Sequence, residues 1–114
     1  MIGLDARDAA PDDWLAFAHA WRAKQVDELA GQLRRVIEAH GLVDAAVALA
    51  AGCGEFLVDD VLARADAPFA VQRYGRDVAR IAADALPGAE AAARWAQVCA
   101  PAVAVAALFD SEQR

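Results

Sequence analysis

The sequence is poor in basic residues, in cysteine and in histidine. Eleven Lys and Arg face seventeen Asp and Glu, which leaves a formal net charge of −6. Nucleic-acid binding normally needs a basic patch that displaces condensed counterions, and this balance argues against one. Lys24 is the only lysine, and Arg34–Arg35 is the only adjacent basic pair. Acidic residues usually sit within a turn of the arginines, so these charges read as solvated surface pairs. Two cysteines exclude a disulfide scaffold. The separation of Cys53 and Cys99 matches no metal motif, and free thiols point to a cytoplasmic protein. His19 and His40 stand about six helical turns apart, too far to share one metal. Met1-Ile2-Gly3-Leu4-Asp5 has neither the basic nor the apolar region of a secretory signal. The longest uncharged stretch, Trp95 to Phe109, is too short for a helix crossing ~30 Å of hydrocarbon.

Alanine is abundant, at 32 of 114 residues. The hydrophobic fraction of 59% therefore overstates the bulky core, which must rest on Leu, Val, Ile, Phe and Trp. Such apolar content excludes intrinsic disorder, and the length suits one domain.

Pro11 opens the clearest helix. Proline is tolerated in a first turn, and Asp12 and Asp13 place negative charge at the positive end of the helix dipole. Trp14, Phe17, Ala18, Trp21, Leu29, Leu33, Val36 and Ile37 recur mainly at spacings of three and four and predict one apolar stripe. Gly41 fits a C′ stop after His40. The resulting helix would be about 45 Å long, which suits one that crosses a larger body or pairs with another chain. The run Asp44 to Ala51 predicts a buried parallel strand, broken at Gly52-Cys53-Gly54, and Glu55 begins a second helix. Phe69 to Tyr74 predicts a short strand after the Ala67-Pro68 break. Arg76 to Leu86 has helical spacing and ends at Pro87-Gly88. Ala89 to Phe109 predicts a final helix kinked at Pro101, or two helices meeting there.

The passage Gly52-Cys53-Gly54-Glu55 is the one local motif with a mechanism. Glycines allow a tight strand-to-helix turn, and a helix N-terminus offers N–H groups to a phosphate. Leu57 stands where a dinucleotide fingerprint has its third glycine, and no Gly-Lys-Ser or Gly-Lys-Thr exists for a P-loop. The competing reading is a plain turn. Cys53 at a helix start would favour its thiolate, but a nucleophile needs a base. Both histidines lie on the first helix, so Cys53 reads as a small turn residue. Glu55, Asp59 and Asp60 carry the ligand chemistry for magnesium beside a diphosphate and more simply form an exposed acidic face. Trp14, Trp21 and Trp95 read as core or interface anchors. No complete catalytic set assembles.

Four segments occur together in order: Met1-Ile2-Gly3-Leu4-Asp5-Ala6, the Trp14-to-Gln25 helix, Ala51-Gly52-Cys53-Gly54-Glu55-Phe56-Leu57-Val58 and Cys99-Ala100-Pro101-Ala102-Val103-Ala104-Val105-Ala106. Together they resemble the C-terminal part of the hydantoinase A/oxoprolinase-like proteins linked to tetrahydromethanopterin C1 transfer, of the actin/Hsp70/sugar-kinase superfamily. Among these, the segments resemble the aminomethylfuran–tyramine enzymes of methanofuran synthesis. The resemblance implies a helix-rich α/β fold, a partial ribonuclease-H-like domain half with one or two short parallel strands. In it Gly52, Cys53, Gly54 and Glu55 would face a nucleotide or diphosphate held with magnesium. The implied reaction joins a furanmethyl diphosphate to the phenol of tyramine or its glutamyl derivative. The family's Asp-Gly-Gly phosphate loop and acidic metal ligands are missing from this sequence. Met1 then reads as an internal methionine or the start of a split gene, and the chain as one that is not catalytic without an N-terminal partner.

Two expectations follow. One is the C-terminal diphosphate-binding portion of a methanofuran-pathway transferase. The other is a small, non-catalytic, mostly helical interaction module that dimerises through the Trp14–Ile37 stripe.

Overall fold

A computed structural model describes residues 5, 7–42, 46–79 and 88–113. The first helix, α1 (Pro11–His40), has the predicted bounds. Its punctuation is local. The Asp13 carboxylate accepts from the Ala10 N–H at 3.2 Å. Gly41 takes the left-handed conformation at φ 60, which lets the Leu42 N–H donate back to the Ile37 carbonyl at 3.0 Å. Strand β1 (Val47–Ala50) then leads through a 3-10 turn (Glu55–Leu57) into α2 (Val58–Ala65) and back to β2 (Ala70–Arg73). The two strands are parallel, with Val47 opposite Ala70 and Ala50 opposite Arg73. A π-helical turn (Tyr74–Val78) follows β2, and the chain ends in α3 (Ala89–Val98) and α4 (Ala100–Glu112). The fold is thus helix-rich, with a two-stranded parallel sheet.

The core is small. Ala30 from α1 meets Leu62, Ala65 and Ala67, with Leu33, Ile37, Ala48, Val58, Val61, Phe69 and Val71 packed around them. Among the described residues no large side chain is fully buried. Two expectations need correction here. The α1 stripe is not one stripe. At roughly 100° per residue, Val26, Ala30, Leu33 and Ile37 share the face that meets α2, while Phe17 and Trp21 lie roughly 160° around the helix. The five-residue step from Trp21 to Val26 breaks the three-and-four rhythm and shifts its phase. Trp21 and Trp95 are accordingly surface residues, 56% and 69% exposed, not core.

The second correction concerns β1, which is a parallel strand but not a buried one. Ala48 and Val71 point to the α1–α2 side. Val47, Leu49, Ala70 and Gln72 point to the other face and are exposed. Parallel sheets are ordinarily covered on both faces; the described elements of this one cover a single face.

The final helix is broken, not kinked. α3 and α4 meet at 102°, and Pro101 lies in the first turn of α4. The expected helix from Arg76 begins instead as the π turn, which closes with extended backbone at Ala79; its remainder lies outside the described residues.

Candidate functional site

Pro101 explains how the site is assembled. A residue at that position in a continuous helix would donate its N–H to the carbonyl four residues earlier, and proline has none to give. The Gln97 carbonyl is left free and accepts the Gly52 N–H at 2.8 Å. Gly52 presents that N–H from a left-handed conformation, φ 83, open to glycine at no steric cost. The break in the helix and the break after the strand therefore serve one hydrogen bond.

The Gln97 side chain does more. It is a buried polar residue, and its amide NH2 donates to the Ala50 carbonyl at 2.9 Å and to Glu55 Oε2 at 3.0 Å. Its Oε1 accepts the Gly75 N–H at 2.8 Å. One side chain thereby joins α3 to the end of β1, to the first residue of the 3-10 turn and to the π turn. Gly75 is packed so closely on α3 that a Cβ there would stand 2.1 Å from the Ala93 carbonyl oxygen.

Beside this latch lies a cleft of about 310 Å³, lined by Glu55, Arg73, Arg76, Glu90, Ala93, Arg94 and Gln97. It stands at the carboxyl ends of the two parallel strands, where open α/β sheets bind their ligands. Arg73 is held from two sides: Nη1 donates to Glu55 Oε2 at 2.6 Å and Nη2 to Asp59 Oδ2 at 3.1 Å. The hydrogen bond that Arg73 donates to Glu55 raises the guanidinium above its ordinary value, with the charge of Glu55 adding to it. Arg76 pairs with Asp77 at 3.0 Å. Arg94 has no ion-pair partner among the described residues. The lining offers three guanidinium groups against two carboxylates, and Arg94 is the one left to meet an anion.

Of the four residues marked in the sequence, Gly52 and Glu55 join the latch, while Cys53 and Gly54 are exposed on the turn. The amides of Gly52 and Glu55 are already used, the second by the Gly52 carbonyl at 3.4 Å. Gly54, at φ −88, needs no glycine. The acidic face is in fact ion-paired: Asp59 meets Arg73, and Asp60 meets Arg22 of α1. No group of three metal-ligating side chains forms among the described residues. Gln97, Gly75, Arg73 and Arg94 were not marked. The signal for Gln97 is the single amide in the uncharged stretch Trp95 to Phe109, four residues before a proline.

Asp77 gives the site a pH dependence. Hydrogen bonds from the Arg76 guanidinium and then from the Arg73 N–H hold its carboxyl below the usual range. A carboxyl lowered on folding stabilises the fold above its unfolded value, near 3.8, and that contribution is lost as pH falls through the folded value. Acid unfolding of the Asp77→Asn chain is expected to show a shallower pH dependence below about pH 4; an unchanged slope in a urea series would show that Asp77 does not contribute.

Pro101→Ala supplies the missing N–H and sets it in competition for the Gln97 carbonyl. Amide exchange at Gly52 is expected to accelerate by about tenfold, the worth of one modest hydrogen bond.

Comparison of the chain with family models, with curated proteins and with solved structures returns no match.

Proposed function

We propose that the chain is a self-associating helical module whose fold is completed against another copy of itself. The supporting observation is its surface. The chain exposes 8873 Å², where a compact monomer of its mass exposes about 6,000 Å². The radius of gyration, 18.3 Å, likewise exceeds the ~13 Å of a compact domain of this length. The excess of about 2,900 Å² is larger than the ~800 Å² per partner that a standard interface takes. Much of it is apolar: Phe17 and Trp21 on α1, Val47 and Leu49 on the open sheet face, and Val105, Leu108 and Phe109 on α4. A helix apolar all round, as α4 is, gains its stability by being covered. Mass action then makes the thermal midpoint rise with chain concentration. A midpoint constant over a hundredfold range of concentration would overturn this reading.

A second reading is favoured by the cleft. An uncommitted Arg94 beside Gln97 at the carboxyl ends of parallel strands suits a phosphate-bearing ligand. It supports the resemblance-based expectation, a diphosphate-binding portion of a methanofuran-pathway transferase. Titration with magnesium pyrophosphate is then expected to move the amides of residues 52–55 and the Arg94 side-chain N–H resonances. Resonances that stay fixed at millimolar pyrophosphate would remove this reading.

A further inference from the structure

We infer that two copies of the chain pair through the N-terminal halves of their α1 helices, running antiparallel; this rests on the self-association reading above and names its seam. Trp14, Phe17 and Trp21 form a ladder along one side of α1. Trp14 meets Phe17 edge-on and Phe17 stacks on Trp21, each at 6.2 Å between centroids. Phe17 and Trp21 are 44% and 56% exposed. This side lies away from the face that meets α2, so a second helix can approach it without displacing the core.

Charge fixes the direction. Asp13 and Lys24 stand about three turns apart on the same flank of the ladder, within ~20° of one another at roughly 100° per residue. Lys24 makes no ion pair among the described residues. In an antiparallel pair each flank faces its own counterpart, so Asp13 of one copy comes opposite Lys24 of the other, and Trp14 opposite Trp21. A parallel pair would instead leave Asp13 of one copy about three turns away from Lys24 of the other. Flanking charges select helix orientation in this way.

Dimensions agree. Residues 11–25 span about 21 Å, and antiparallel overlap of that segment leaves the two α2–sheet bodies at opposite ends. Phe17 and Trp21 present roughly 200 Å² of apolar surface per chain on this side. α4 lies outside the seam.

The test is sedimentation of the full chain at micromolar concentration, with helicity followed by circular dichroism to show that each variant folds. Trp21→Glu is expected to weaken association by at least about a hundredfold, as loss of a central aromatic anchor does. Lys24→Glu is expected to weaken it by about three- to tenfold through two exposed pairs per dimer. The double variant Asp13→Asn/Lys24→Glu keeps an acceptor for the Ala10 N–H, removes the like-charge contact that Lys24→Glu creates, and is expected to recover the dimer relative to Lys24→Glu alone. A Trp21→Glu chain that still dimerises overturns the seam and leaves self-association standing. Failure of the double variant to recover overturns the antiparallel register. A wild-type chain that stays at 12.0 kDa overturns self-association, and the seam with it.

Discussion

Gly75→Ala is expected to lower the thermal midpoint by about 10 °C or more. The added methyl would stand 2.1 Å from the Ala93 carbonyl oxygen, 2.6 Å from the Gln97 nitrogen and 2.9 Å from Gln97 Cβ. Two of these are backbone atoms of α3, so no side-chain rotation relieves them. The helix itself must move back, stretching the Gly75–Gln97 hydrogen bond and the Gly52–Gln97 bond together. Overpacking costs about 1–3 kcal/mol where side chains absorb it; against a helix backbone the cost belongs at the upper end. For a small domain 1 kcal/mol moves the midpoint by roughly 4–8 °C. The same substitution at Gly31 is the control. That glycine lies inside α1 with nothing within 4 Å of its Cβ position. Gly31→Ala is expected to stabilise by about 0.5–1 kcal/mol, because alanine is the better helix former. If calorimetry gave the two changes the same sign, the contact of α3 with the π turn would not be as described.

Gln97→Leu has a comparable expected effect and separates hydrogen bonding from packing. Leucine is nearly as large, but it leaves the Gly75 N–H, the Ala50 carbonyl and one contact of Glu55 without the partner they have at 2.8, 2.9 and 3.0 Å. A buried polar group stranded in this way costs about 1–3 kcal/mol, so a loss of roughly 3 kcal/mol is expected. In urea it reads as a lower midpoint with an unchanged slope, and Gly75 amide exchange accelerates. Gln97→Glu keeps the acceptor for Gly75 but sets a carboxylate against the Ala50 carbonyl and Glu55. Its deficit is expected to shrink in mild acid, where protonation returns a donor. A Gln97→Leu chain as stable as the wild type would reduce the latch to a surface contact.

The elements were legible wherever their signals are local. Pro11, Asp12, Asp13 and Gly41 bound α1 without help from the rest of the chain. The glycine break after Ala50 and the Ala67-Pro68 break set off a strand–helix–strand unit, and its parallel sense follows from a helical crossover. Burial was less legible. Trp21 and Trp95 have the composition of core residues, but no described element covers them. The phase shift between Trp21 and Val26 is invisible to a count of apolar spacings. The site was legible in half. Gly52 and Glu55 belong to a recognisable turn, whereas Gln97 reaches Ala50 across 47 residues of sequence. That contact exists only because Pro101 turns α4 away and frees a carbonyl, a consequence of tertiary packing rather than of local pattern.

The central claim is that this chain reaches its stable form by covering its own excess surface with a second copy. Sedimentation equilibrium of the wild-type chain tests it most directly. A mass near twice 12.0 kDa at micromolar concentration, falling toward the single-chain value on dilution, is the predicted result. A single species of 12.0 kDa that persists into the millimolar range would contradict it.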